Sequence, residues 1–293
     1  MGIELNSADD YLGPAAERFF GAGYRRVEYS ARGTGLTPDG ATSTVSIVYP
    51  GDWSTKLPGS AQRPHLSTID TLILAVRAAE FHARHVDGRT GEVGVRRVDI
   101  KAPSAPVEET LDRVPVTATL RSATPAGSTY DVRVASMRTR VELVHGGDEA
   151  ADAAFEGRPS AYGSGFRRQS QQLGNLVVDV EAASASADVT VHGDDGPAVS
   201  LIDSFVVALQ LGQILLYETD GIARSQSNTL WMRHTTLTAA EAARPAAPGP
   251  FRTVTTLEDS RLVENHGRTW RTATICGDCL GARTRCAVAH LIP

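Results

Sequence analysis

The chain repeats itself, and a duplication restricts the folds open to it more than any other feature does. Pro64-His65-Leu66-Ser67-Thr68-Ile69-Asp70-Thr71-Leu72-Ile73-Leu74-Ala75 matches Pro197-Ala198-Val199-Ser200-Leu201-Ile202-Asp203-Ser204-Phe205-Val206-Val207-Ala208 at a constant offset of 133, with the Pro, Ser, Ile, Asp and final Ala identical. Asp87-Gly88 falls on Asp220-Gly221 at the same offset. Phe20-Gly21-Ala22-Gly23-Tyr24-Arg25-Arg26 corresponds to Tyr162-Gly163-Ser164-Gly165-Phe166-Arg167-Arg168 at an offset of 142. Arg138-Thr139-Arg140, with His145 five residues on, corresponds to Arg283-Thr284-Arg285 with His290 five on, at an offset of 145. Three blocks in one order predict two similar domains, 1–148 and 149–293, and a length of 293 residues agrees with two cores.

Each half then reads alike. An aromatic Gly-x-Gly-aromatic-Arg-Arg turn opens it, and its presence in both halves favours a structural turn over a phosphate loop. A strand or two follows, at 41–49 in the first half and at 175–180 and 188–192 in the second. Residues 71–85 and 204–217 are apolar nearly all round, the pattern of a buried helix. Ser67 with Asp70, and Ser200 with Asp203, stand where N-terminal caps belong, and Asp-Gly closes each helix. Period-two alternation then marks antiparallel strands at 93–101, 116–122, 129–136 and 138–145, matched by 230–237, 251–257, 270–276 and 283–291. Residues 149–158 read as the connector and 244–250 as a loop between strands. One buried helix wrapped by a long antiparallel sheet, twice over, is an α+β fold of the tandem double hotdog type. A β-sandwich would leave both apolar helices unexplained.

Composition narrows the class. A net charge of −5 argues against a nucleic-acid partner. No apolar run reaches the roughly 18 residues of a membrane helix, so no membrane partner is expected. The first ten residues are too polar for a signal peptide. Three cysteines, all between 276 and 286, make no disulfide framework, and a reducing cytoplasm is the expected location. Lysine occurs only at Lys56 and Lys101 while arginine abounds, the coding bias of a GC-rich, bacterial genome; arginine clusters are discounted accordingly.

In folds of this plan, thioesters lie near helix N-termini, whose free N–H groups can hold a carbonyl or a developing oxyanion. The first helix is preceded by Tyr49-Pro50-Gly51-Asp52-Trp53-Ser54-Thr55-Lys56 and Arg63-Pro64-His65, whereas Gly193-Asp194-Asp195-Gly196-Pro197-Ala198 precedes the second without Trp, His or Arg. One working site, in the first half, is the expectation. His65 is its best general acid or base, because imidazole titrates near neutral pH; an exposed loop histidine is the plainer reading. Asp70 and Asp203 are either paired catalytic carboxylates or helix caps, and Ser67 shares the choice between substrate contact and cap. Trp53 would line an acyl tunnel or pack under its loop. Lys56 and Arg63 would meet a phosphate of coenzyme A or phosphopantetheine, or simply be solvated, and Arg77 on the helix is a further candidate substrate contact. Cys276-Gly-Asp-Cys279, Cys286 and His290 have a zinc-like spacing, but the first half builds the matching strand with His145 and no cysteine, so a plain hairpin is preferred and no metal or other cofactor is expected. No nucleophile elbow, P-loop, His-Glu-x-x-His or dinucleotide fingerprint is present.

Tyr11-Leu12-Gly13, the run from Glu17 to Arg26, the run from Tyr49 to Lys56, and Arg63-Pro64-His65-Leu66-Ser67-Thr68-Ile69-Asp70 together resemble the avirulence D family of plant-pathogenic pseudomonads. The resemblance implies synthesis of syringolides, acylated butenolides formed when a β-ketoacyl thioester condenses with a ketose such as xylulose. The implied activity is acyl transfer from an acyl-CoA or acyl carrier protein thioester to a sugar hydroxyl; a homodimer is one arrangement open to the chain. The γ-butyrolactone synthases of streptomycetes, similar in activity, carry a glutamate within the helix. Ala75-Val76-Arg77 and Ala208-Leu209-Gln210 stand here instead, so that residue is not carried over. A dehydratase or thioesterase acting on an acyl thioester, and a non-catalytic binder of a small ligand, are the other classes this fold admits.

Overall fold

The two apolar runs form the long helices expected of them. The computed structural model describes residues 2–57, 60–86, 93–145, 161–193, 198–227, 230–241 and 245–293, with the backbone alone at 56, 57, 60 and 61. After the short Ala8–Leu12 (α1), the long helices are Thr68–Val86 (α2) and Leu201–Asp220 (α3), whose first residues keep the offset of 133. Each begins with a reciprocal capping box. Ser67 N–H donates to Asp70 Oδ2 at 2.8 Å and Asp70 N–H to Ser67 Oγ at 3.1 Å, and Ser200 and Asp203 repeat the pattern at 2.7 and 3.3 Å. Gly221, at φ 62°, closes α3 in the left-handed conformation that glycine adopts without strain. The Asp87-Gly88 stop expected for α2, and the 149–158 connector, lie outside the described residues. Helix α3 is long and apolar enough to cross a membrane, yet 89% of that stretch is buried within this fold.

Fifteen strands are described: Ile3–Ser7 (β1), Glu28–Thr37 (β2), Gly40–Val48 (β3), Thr55–Leu57 (β4), Ser60–Ala61 (β5), Val93–Lys101 (β6), Val114–Thr124 (β7), Gly127–Val134 (β8), Met137–His145 (β9), Gln169–Asp179 (β10), Ser184–Gly193 (β11), Trp231–Ala239 (β12), Phe251–Asn265 (β13), Arg268–Cys279 (β14) and Ala282–Leu291 (β15). Strands β4 and β5 form a small hairpin, and the other thirteen make one antiparallel sheet. Its order is β1-β10-β11-β13-β14-β15-β12-β6-β9-β8-β7-β3-β2. Outward from the central β12–β6 pair, β15-β14-β13-β11-β10 repeats β9-β8-β7-β3-β2. The duplication is thus visible as strand order, with α2 packed on the first half's strands and α3 on the second's.

Three joints hold the halves together. At the centre, Asp99 of β6 accepts from Thr236 Oγ1 and meets His234 Nε2 of β12, both at 2.9 Å. The Gly-x-Gly turns become paired 3-10 segments, Gly23–Arg26 and Gly165–Arg168. There Tyr24 stacks on Phe166 with centroids 6.3 Å apart, and the Arg167 guanidinium donates to the Arg25 carbonyl at 2.6 Å. The third joint crosses the boundary read from sequence. Strand β1 leaves the first half to extend the second half's edge, pairing Ile3 with Val178 and Leu5 with Leu176.

Candidate active site

The N-terminus of α2 anchors the site. Asp70 is fully buried (0% exposed) and is consumed by its cap and by two tyrosines. Tyr29 donates to Oδ1 at 2.6 Å, and Tyr49 contacts Oδ2. Burial raises the Asp70 carboxyl above its ordinary value, against the opposing hydrogen bonds from Ser67, Tyr29 and Tyr49. Burial beside this carboxylate holds both tyrosines well above the usual phenol range. Tyr49 also reaches the His65 carbonyl at 2.6 Å, so the cap is tied to the loop that carries His65.

That loop is built on Trp53. The Trp53 indole N–H donates to the Gln62 carbonyl at 3.0 Å, and Tyr49 and Phe19 meet its ring edge-on with centroids 5.0 and 5.2 Å away. His65 packs against the same ring at 5.8 Å, its Nδ1 3.3 Å from the Arg63 carbonyl. Two features fix Trp53 from below. Arg26 grips Asp52 through both carboxylate oxygens at 2.8 Å. Gly23 lies so close that a Cβ there would sit 2.1 Å from the Trp53 carbonyl, so only glycine fits the turn.

Between this loop and the second half opens a cavity of about 520 Å³. Trp53, Arg63, His65, Ser67 and Thr68 line it from the first half. The chain has three tryptophans, and Trp231 and Trp270 of the second half line the same cavity as Trp53. Met137, Met232 and Leu291 add apolar surface. The remaining charged groups are Arg18, Arg224, Arg268 and Glu108, the last paired with Arg63 at 2.8 Å, so the lining is strongly cationic. Of the first-turn residues of α2, Thr68 lines the cavity, and its amide has no acceptor within the helix. The arrangement offers an apolar trough, a helix N-terminus, an imidazole and several guanidinium groups, which suits a ligand with an acyl chain, a polarised carbonyl and an anionic group.

The expected site residues therefore divide. Trp53, Arg63, His65 and Ser67 come together at the cavity, and the Lys56 side chain lies outside the described residues. Asp70 and Asp203 do not face each other across it. Asp203, 3% exposed, is enclosed by Ser200 and by Gln171, which replaces Tyr29 at the offset of 142. Arg77 is also set apart: nine residues into α2, it borders a different cleft with Glu80, Phe81 and Arg84. Arg18, Gln213, Arg224 and the two later tryptophans were not anticipated, because they reach the cavity from distant segments. Cys279 and Cys286 are buried, with burial pushing both thiols up to about 12, and no group of three metal-binding side chains occurs among the described residues.

Comparison with known proteins identifies the lineage. The chain belongs to the Pseudomonas avirulence D protein (AvrD) family, which matches residues 3–293. No curated protein sequence matches it. Similar solved structures include the tesB protein of Mycobacterium avium subsp. paratuberculosis (9% identity, 90% of this chain and 96% of that one, TM-score 0.48). Others are the dehydratase domain of RzxB from Pseudomonas fluorescens (14%, 97% and 100%, 0.43) and a hot dog fold protein from Alicyclobacillus acidocaldarius (9%, 89% and 96%, 0.44).

Proposed function

We propose that the chain is a tandem double hotdog acyltransferase, with repeats at 1–148 and 149–293, that moves a β-ketoacyl group from a CoA or carrier-protein thioester to a ketose hydroxyl. The observation that carries the reading is the cavity at the α2 N-terminus. It joins His65 to all three tryptophans, and both halves build it. The apolar wall of Trp53, Trp231, Trp270, Met137 and Met232 takes the acyl chain. The Thr68 amide at the α2 N-terminus receives the thioester oxygen as negative charge develops on it. His65 takes the proton of the acceptor hydroxyl, whose oxygen bonds to the acyl carbon; the carbon–sulfur bond breaks, and the thiolate leaves with that proton. Asp70 acts through Tyr49 as a positioning residue for the His65 loop, and Asp203 holds the equivalent cap in the second half. Formation of a syringolide-type butenolide, in a bacterial cytoplasm, is what the family resemblance adds.

The test is His65→Ala. Ester product is lost while the urea midpoint stays at the wild-type value; a fully active variant would refute the assignment of His65.

A further inference from the structure

Arg18 and Arg224 come from segments 206 residues apart and line the same cavity. Arg18 is 4% exposed, a depth at which arginine is rarely found without a full set of partners. One of its terminal nitrogens donates to Gln210 Oε1 of α3 at 2.7 Å, and the other pairs with Asp9. Its Nε has no partner among the described residues. Arg224 is half-buried and makes no ion pair among the described residues; it donates to the carbonyls of Thr55 at 2.9 Å and Glu17 at 3.5 Å. Burial lowers the pKa of both, and the charge of Arg224 lowers that of Arg18 further. Asp9 pairs with Arg18 and the charge of Glu17 reaches Arg224, but with Arg63 and Arg268 on the same lining the guanidinium groups outnumber the carboxylates Asp9, Glu17 and Glu108, an excess that an anion would relieve. The indole N–H of Trp270, which lines the same cavity and is buried without a partner among the described residues, is one more donor.

We infer that Arg18 and Arg224 form a phosphate subsite that receives a phosphomonoester on the small acceptor substrate. This deepens the acyl-transfer reading and rests on it for the word acceptor. The choice between the two phosphate-bearing substrates follows from depth. The pantetheine arm of a donor carries its phosphate at the far end from the thioester, toward solvent, where the exposed Arg63 and Arg268 stand. Arg18 is reached only by a group that enters the cavity whole. A planar guanidinium pair binds a phosphate dianion through several charge-assisted hydrogen bonds at once, which a neutral sugar cannot supply.

Two readouts test this with the full chain. The first is intrinsic fluorescence, since every tryptophan lines the cavity. Inorganic phosphate should give a saturable change at constant ionic strength, and Arg224→Gln should weaken it at least about tenfold, the loss expected for one charge-assisted contact. Arg224→Gln is the primary variant because its contacts are to backbone carbonyls, whereas Arg18→Gln also breaks the Asp9 pair. Absence of a saturable response, or equal binding by Arg224→Gln, would overturn the subsite even if the enzyme transfers acyl groups. Conversely, phosphate binding without turnover would leave the subsite standing and remove the acyl-transfer reading. The second readout assigns the source. With a short β-ketoacyl N-acetylcysteamine donor, which has no phosphate, Arg224→Gln should lower kcat/KM for a ketopentose 5-phosphate at least about tenfold more than for the free ketopentose. If the loss instead appears only with a phosphopantetheine donor, the acceptor assignment falls.

Discussion

Replacing Tyr49 by Phe removes a single oxygen at the point where the α2 cap meets the His65 loop. The hydroxyl faces two acceptors, the His65 carbonyl at 2.6 Å and Asp70 Oδ2, and has one proton to give. In Tyr49→Phe the ring keeps its contacts with Trp53 at 5.0 Å and Phe19 at 6.5 Å, so packing is preserved and hydrogen bonding alone is lost. Asp70 retains Tyr29 and the Ser67 N–H, but the His65 carbonyl loses this partner. Stranding a buried acceptor costs about 1–3 kcal/mol. His65 is half-exposed and water can reach part of the gap, so the lower part of that range, about 1–2 kcal/mol, is expected. At roughly 2–4 °C per kcal/mol for domains of this size, melting falls by a few degrees. The functional effect should be larger, because a loosened loop no longer holds the imidazole against the acceptor: kcat drops about ten- to hundredfold, with KM for the thioester little changed. Urea unfolding and steady-state kinetics on the same preparation read both. A variant with the wild-type midpoint and the wild-type kcat would refute the proposed coupling of cap and loop.

Three further perturbations follow from the same geometry. A carboxyl whose pKa is raised on folding stabilises most below its unfolded value and loses that contribution as pH rises through its folded value. The stability of wild type relative to Asp70→Asn should therefore decline as pH rises above the ordinary carboxyl value of about 4; a difference independent of pH would show that Asp70 does not titrate in this way. Gly23→Ala drives a Cβ to 2.1 Å from the Trp53 carbonyl and should cost about 1–3 kcal/mol and shift the tryptophan emission, and an unchanged urea midpoint would contradict the close approach. Asp220 is 2% exposed in its side chain and holds Arg271 and His290, so Asp220→Ala should cost about 3–5 kcal/mol, and a loss under about 1 kcal/mol would deny the cluster its role in holding α3 to the sheet.

The sequence is most readable where one face is buried. Alternation marks β6 to its ends at 93 and 101, and the capping boxes place both long helices, whose described bounds exceed the apolar runs 71–85 and 204–217 by a few residues. Legibility fails where burial does. Strand β2 is exposed along almost its whole length, and the part of β13 beyond residue 257 projects past the core, so neither has an apolar period to detect. Strand β1 is invisible for a different reason: its partner β10 lies in the other repeat. The site divides in the same way. His65, Trp53 and Arg63 stand beside a recognisable helix start and can be found locally. Arg224, Trp231 and Trp270 meet them only because β6 and β12 join the two halves, which the order of elements along the chain does not reveal. One signal was available: a residue type used three times and gathered in one cavity. Asp70 and Asp203 illustrate the opposite limit, since a conspicuous acid at a helix start is as well explained by capping, and capping consumes both.

The most direct measurement is thiol release from a short β-ketoacyl thioester by the purified protein, with and without a ketopentose or its 5-phosphate, read together with product mass. The account predicts release that depends on the sugar and a product whose mass is that of the acyl ester or its dehydrated lactone. Release at the same rate without sugar would make the protein a thioester hydrolase, and no release with either acceptor would contradict the acyl-transfer account.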